Sequence, residues 1–383
     1  MRSLLACVVA LLLVPAAWGE WVLTDVDFDT KPVEPLRFDG QSLTLAGGQA
    51  VPAGRLLEIR RDDVSPQTQY RTNVLYLSGG DRLVGKPAGF EGERLAFDST
   101  SLGLVLVPLE RLLALQPVAE AALGRVSPAL PDRDGQDVLR LSNGDVIRGI
   151  VGDLSGEGVT ISVDGQPSMV PLNAVASLVF ADLGMPADQQ QGWAVLLQDG
   201  TRLTLPEVRL DGPRVSLAGG VLTQQVEQPL RALLAVEQVG GPVVWASSLT
   251  PAEALYVPYL AGSFKHRMNS SVTGEPIVAD GKAFSRGIGV HARSRLSFDV
   301  PEGARRFRTQ YAMAGELPLA DVTVRVLVDG QVKAETQNVK AGTLYDVISV
   351  DVTNAGRLTL EVDYGEGLDV QDRLNWIEPA FVR

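Results

Sequence analysis

Cysteine is nearly absent from this chain of 383 residues: there is one, Cys7. It sits in a stretch that reads as a secretory leader, with Arg2 as a short positive end and Leu4 to Val14 as an apolar run. Ala17-Trp18-Gly19 then places small residues where cleavage needs them. The run is shorter than the about 20 apolar residues that a bilayer span requires. Leu4-Leu5-Ala6-Cys7 resembles a lipoprotein signal, but the apolar run continues past Cys7, where such a signal should close. Cleavage after Gly19 would leave no thiol, excluding disulfides, zinc–cysteine sites and cysteine nucleophiles. It would also remove Arg2 and take the net charge from −12 to −13. Basic residues are outnumbered 34 to 46, so neutralising nucleic-acid phosphates is not an expected task. No later segment is apolar for long enough to cross a membrane, and helical periodicity is almost missing.

What is present instead is alternation. In "VTVRVLVDGQVKAE", Val322, Val324, Val326 and Val328 share one face, and Asp329-Gly330 offers a hairpin turn before Val332 and Ala334. "LTLEVDY" alternates Leu358, Leu360, Val362 and Tyr364 with polar residues, and "LSFDV" repeats the pattern with Leu296, Phe298 and Val300. The chain is expected to be all-β.

Its first two-thirds repeats itself. "VLYLSGGDRLVG" from Val74, "VLRLSNGDVIRG" from Val138 and "VLLQDGTRL" from Val195 begin alike. Each turn glycine (Gly80, Gly144, Gly200) is followed twelve residues later by another (Gly92, Gly156, Gly212). Each segment closes on Pro-Leu, at Pro108, Pro171 and Pro229, followed by a short apolar run. A partial copy precedes them, because "FDGQSLTLAGG" from Phe38 matches "LDGPRVSLAGG" from Leu210. Repeats of strand, turn, strand, turn, strand, Pro-Leu and strand resemble small SH3-like or Sm-like β-barrels, which bury a core only by closing or stacking. The segments 119–137, 181–192 and 240–255 read as connections between units.

The stretch "FSRGIGVHARSRLSFDV" (284–300) gathers the candidate chemistry. Gly287-Ile-Gly289-Val-His291-Ala292 fits a loose dinucleotide-loop pattern, but an alternating strand follows it where that loop needs a helix. His291 and His266 are the only imidazoles, and no paired-histidine spacing suits a metal. "DVDFD" (Asp25, Asp27, Asp29) opens like a calcium loop, yet Thr30 replaces the glycine and Leu36 the final glutamate, so it reads as a strand with an acidic face. No nucleophile elbow occurs, and Ser285, Ser294 and Ser297 lie in or beside strands without an orienting partner.

From about Tyr256 to Arg383 the motifs fall in a familiar order: "MNSSVTGEPIVADGKAFSRGIGVHARSRLSFDV", then "RRFRTQYAM", "VTVRVLVDGQV" and "RLTLEVDYGEGLDVQDRLNWIEPAFV". This segment resembles the NPCBM/NEW2 domain, a carbohydrate-binding type of module associated with glycoside hydrolase family 98. The resemblance implies a galactose-binding-like jelly-roll β-sandwich. Where the family carries an Asp-His-Ala-Asp-Trp-like run, this chain has Asp372-Arg373-Leu374-Asn375-Trp376, and its loop 314–321 is "AGELPLAD".

The expected organisation is a signal peptide (1–19), a first β-repeat region (20–118, partial copy plus first full repeat), a second β-repeat (138–181), a third (193–240) and an NPCBM-like jelly-roll domain (250–383). The expected function is an exported, non-catalytic protein whose jelly roll binds a glycan or polysaccharide. Sugar sites need planar apolar faces and hydroxyl partners on loops of a rigid scaffold, and His291, Arg293, Tyr259, Tyr364, Asp372, Asn375 and Trp376 are of suitable type. Asp329 suits a turn better than a ligand. First and last strands of a jelly roll commonly pair, which would make His291 and Trp376 a structural pin, with a carboxylate such as Asp372 satisfying the imidazole. No cofactor is expected, and calcium is left open. Two rivals are an envelope scaffold that docks a protein partner on the same sandwich, and a glycosidase-associated accessory or enzyme. Low aromatic content, 6%, favours the scaffold, because stacking platforms need exposed rings.

Overall fold

A computed structural model describes residues 21–62, 64–67, 72–117, 135–183, 191–259, 262–315 and 317–383. The leader, Cys7 and most of the segments 119–137 and 181–192 lie outside the described residues. Among those described, every element is a β-strand or a single 3-10 turn.

The repeats form four small barrel-like units of antiparallel strands. The second, third and fourth open on Asn73–Leu77, Asp137–Leu141 and Gly192–Leu197 and close on Leu112–Pro117, Val175–Val179 and Leu233–Val239. The first also has its opening strand, Trp21–Asp25, paired with the closing strand Leu56–Arg61. It is a whole unit, and only its divergent beginning made it look partial. The proline signature has a local cause. Pro52, Pro108, Pro171 and Pro229 each hold φ between −58° and −68° at the entry to a 3-10 turn. The ring fixes that angle, and the missing N–H is not needed there. The residue after each turn donates its N–H back to the turn's first carbonyl, reversing the chain into the closing strand.

The barrels are not beads on a string. Closing strands pair between the first and fourth units (Val236 with Ile59) and between the second and third (Leu115 with Leu178). The second and fourth meet at Arg82 and Arg202, which are equivalent positions of the repeat. Arg82 Nε donates to the Gly200 carbonyl at 2.8 Å, and Arg202 Nη1 donates to the Gly80 carbonyl at 3.1 Å. The turn glycines at the centre of this near-reciprocal exchange have φ of 80° and 94°, a region costly for other residues. One sheet path therefore runs through the units in the order third, second, fourth, first, over a shared core containing Leu75, Phe97, Leu139, Ile161, Leu203 and Val236.

The last unit is a β-sandwich. One sheet runs Arg267–Met268, Gly287–His291, Arg373–Val382, Arg306–Met313, Tyr345–Asp351, with Val243–Trp245 added against the end of Arg373–Val382. The other runs Glu253–Tyr256, Ser294–Asp299, Arg357–Tyr364, Val322–Val328, Gln331–Val339. The alternation read from the sequence places Val322, Val324, Val326, Leu358, Leu360 and Val362 in the core between them.

The two parts touch through Val26 and Leu57 from the repeats and Val243, Ala380 and Val382 from the sandwich. Here "DVDFD" differs from the expected strand, which stops at Asp25. Asp25 Oδ1 accepts the N–H groups of Asp27 and Asp29, making a turn that carries Phe28 onto Trp245, with ring centroids 5.7 Å apart. Asp27 pairs with Arg55 and, across the junction, with Arg306 at 3.2 Å.

Candidate functional site

The first strand of the sandwich motif, Gly287–His291, pairs antiparallel with the last, so that Ile288 faces Trp376 and His291 faces Arg373. Alternation sends Ile288 and Val290 into the core with Trp376, and Gly289 and His291 to the other side. The glycines that imitated a cofactor loop make room for backbone. A side chain at Gly289 would meet the main chain of Ser270, Ser271 and Val272, and one at Gly287 would meet the Trp376 carbonyl.

His291 is 5% exposed. Its ring stacks on Phe264, with centroids 4.3 Å apart and planes 6° off parallel, and meets the edge of Tyr256 at 6.0 Å. Nδ1 donates to the Ala292 carbonyl at 2.7 Å. Burial pushes its pKa below the ordinary value, and burial together with Lys265 does the same to His266. The first and last strands do pair, but His291 is held by Phe264, Tyr256 and the Ala292 carbonyl, not by Trp376 and Asp372. These rings line a groove of about 320 Å³.

Beside that groove lies a partly exposed platform. Tyr259, 50% exposed, meets Tyr364 edge to face with centroids 6.0 Å apart. The Tyr364 hydroxyl donates to the Val257 carbonyl at 2.6 Å, which holds that ring, and Asp369 Oδ2 accepts the main-chain N–H of Tyr259 at 3.1 Å, which holds the backbone carrying the other. Arg293, whose side chain is 53% exposed, lies with Nε 3.4 Å from Asp363 Oδ1. The platform thus offers ring faces, a guanidinium and two carboxylates at one end of the sandwich, from the end of the strand Arg357–Tyr364 and the segments beside it. Asp363 and Asp369 were not singled out in the sequence, where Asp363 is one polar position of an alternating strand and nothing separates Asp369 from other loop acids.

The remaining candidates point inward. Trp376 is fully enclosed, and Asn375 and Asp372 are each 1% exposed, so none presents a surface to a ligand. Asp329 holds a turn, its Oδ1 accepting the N–H groups of Gly356 and Arg357 at 3.0 and 2.8 Å. Among the described residues no group of three or more His, Cys, Asp or Glu is arranged to hold a metal, and no helix is long and apolar enough to cross a membrane.

Asp372 has a different consequence. Its Oδ1 accepts the Asp321 N–H at 3.1 Å, while Oδ2 is buried without a hydrogen bond. Burial, reinforced by the charges of Asp321 and Asp369, pushes its pKa from 3.8 up to about 7. The folded protein keeps this proton to about pH 7 and the unfolded chain releases it near pH 4. Stability is therefore full below about pH 4 and falls as pH rises towards about 7. Asp372→Asn is expected to flatten that slope in urea unfolding. Equal slopes in both proteins would mean that the carboxylate is ionised and hydrated within the fold.

Comparison with known proteins places the last third. Residues 243–382 match the family model of the NPCBM/NEW2 domain. The match begins at Val243, where the added strand Val243–Trp245 joins the sandwich. No curated protein matches the chain. Solved structures similar to it include the CBM51-2 and INT domains of Clostridium perfringens ZmpB, at 24% identity over 44% of this chain and 36% of that one, with a TM-score of 0.34. The chain thus spans little more than a third of that relative. CBM51 from Clostridium perfringens GH95, in complex with methyl-galactose, is 20% identical over 37% of this chain and 99% of that one, with a TM-score of 0.33. The tandem CBM51 modules of Sp3GH98 from Streptococcus pneumoniae are 13% identical over 94% and 87%, with a TM-score of 0.32.

Proposed function

We propose that this is an exported, non-catalytic protein whose C-terminal sandwich binds a glycan on the platform of Tyr259, Tyr364 and Arg293, with Asp363 and Asp369 as hydroxyl acceptors. The observation that carries the reading is the edge-to-face pair of exposed Tyr259 and half-buried Tyr364 at one end of a sandwich that matches the NPCBM/NEW2 model. Ring faces take the C–H side of a sugar, and the flanking carboxylates and guanidinium take its hydroxyls. The His291 groove adjoins this surface and supports it from below. The repeats, sharing one sheet and core, serve as a stiff mount, and the leader directs export.

Affinity electrophoresis of the intact protein through polysaccharide gels tests this reading. Tyr364→Ala is expected to lower affinity about tenfold, or ~1.4 kcal/mol, for the polysaccharide that retards the parent. No retardation by any polysaccharide would count against it.

One observation favours a second reading. Leu319, Leu368 and Val370 are exposed in the loops around the platform. Clustered apolar side chains of this kind suit a protein partner, as an envelope scaffold would need. Leu319→Lys separates the two readings, because it should leave sugar binding intact and abolish protein docking.

A further inference from the structure

Between the repeats and the sandwich lies a cleft of about 380 Å³. It is within the size range of small-ligand sites, and junctions of this kind are a preferred place for them. We infer that this cleft is a second binding site, distinct from the tyrosine platform, and that it takes a sugar acid: one carboxylate on a hydroxylated ring.

Four arginines line the cleft: Arg60, Arg202, Arg286 and Arg308. Arg202 and Arg286 are both paired with Glu237, and Arg60 with Asp62 at 3.0 Å. Arg308 differs. Its guanidinium lies 3.8 Å from the ring centroid of Phe28, and its Nη1 is buried without a hydrogen-bond acceptor. Burial also holds its pKa below the usual arginine range, with the charge of Glu378 acting against that shift. A buried donor left unmade is costly, and a carboxylate is the acceptor that fits a guanidinium best. Lys282 is exposed at the same cleft. The lining carries Arg60, Arg202, Arg286, Arg308 and Lys282 against Glu58, Glu237 and Glu378, so it is net positive inside a protein of net charge −12. Such a contrast draws anions to the cleft.

The rest of the lining selects among anions. Glu58 and Glu378 would repel a phosphate dianion more than a single carboxylate. Thr30, Ser285 and Gln310 offer hydroxyl and amide partners, and Phe28 and Trp245 supply apolar walls, as a polyol ring needs. Phe28 itself has φ of 69°, a left-handed conformation that costs a bulky residue energy. The Asp25 turn holds it there, and this is the placement that puts its ring beneath Arg308. Backbone strain of this sort gathers at ligand sites.

Isothermal titration of the intact protein tests the assignment, with glucuronate, glucose and acetate as probes. Glucuronate is expected to bind, and glucose and acetate each at least about tenfold more weakly, since each lacks one half of the recognised chemistry. Arg308→Gln should lower glucuronate affinity about tenfold, the scale for losing one charge-assisted contact. Lys282→Ala, an exposed change that leaves the core untouched, should lower it about threefold through weaker attraction. Tyr364→Ala should leave it unchanged, so failure here is separable from failure of the platform. No binding of glucuronate would overturn the proposal. So would equal affinity for glucose or for acetate, or unchanged affinity in both charge variants.

Discussion

Glu237→Ala is expected to destabilise the protein by about 3–5 kcal/mol and to loosen the sandwich from the repeats. Glu237 closes the fourth barrel and is largely buried, with its side chain 13% exposed. One carboxylate oxygen lies 3.3 Å from Arg202 Nη2, and the other accepts from Arg286 Nη2 on the sandwich. Arg202 reaches back to Asp81, which is enclosed and also accepts from Thr204 and Arg111. Arg286 is stacked over Trp245, 4.8 Å from the ring centroid. Removing the carboxylate leaves Arg286 buried without its ion-pair partner and Arg202 with Asp81 alone, and a buried guanidinium stripped of its counter-charge is costly to desolvate. Pairing Glu237→Ala with Arg286→Met should recover part of the loss, because the second change removes one orphaned cation. Denaturant unfolding of the four proteins in a double-mutant cycle reads this coupling. A loss below about 0.5 kcal/mol for Glu237→Ala would place the cluster among solvated surface pairs.

Trp376→Ala should cost about 3–5 kcal/mol, the range for emptying a large core side chain. Trp376 is fully buried between the two sheets, 6.0 Å from Tyr311 by ring centroid and opposite Ile288 on the neighbouring strand. Trp376→Phe keeps most of the volume and should cost far less. Both effects belong to folding, so any Trp376→Phe protein that remains folded should bind its ligand like the parent. A Trp376→Ala protein of unchanged stability that had lost binding would return Trp376 to the contact surface.

That example shows what a sequence conveys and what it withholds. Alternation at Val322 to Val328 and Leu358 to Val362 identified the faces that meet in the core, because a strand has no other way to hide apolar residues on one side. The prolines at 108, 171 and 229 marked real 3-10 turns, since the ring restricts φ whatever the surroundings. Residue type alone did not separate a binding tryptophan from a core one. Trp376 and Tyr259 are equally suited to a sugar, and only the register of Arg373–Val382 against Gly287–His291 turns one inward. The junction was illegible for a related reason. Asp25, Phe28, Glu237, Arg286 and Arg308 are scattered over nearly 300 positions, and their meeting depends on how the units dock. Even the order of the barrels, with the second beside the fourth, rests on an arginine exchange that a repeat pattern does not announce.

Sugar binding at the tyrosine platform is the central claim. Glycan-array binding of the intact protein, run beside its Tyr259→Ala/Tyr364→Ala variant, measures this most directly. The parent is expected to bind a related set of glycans, and the variant, equally folded, to lose them. Binding to no glycan, or an unchanged profile in the variant, would contradict it.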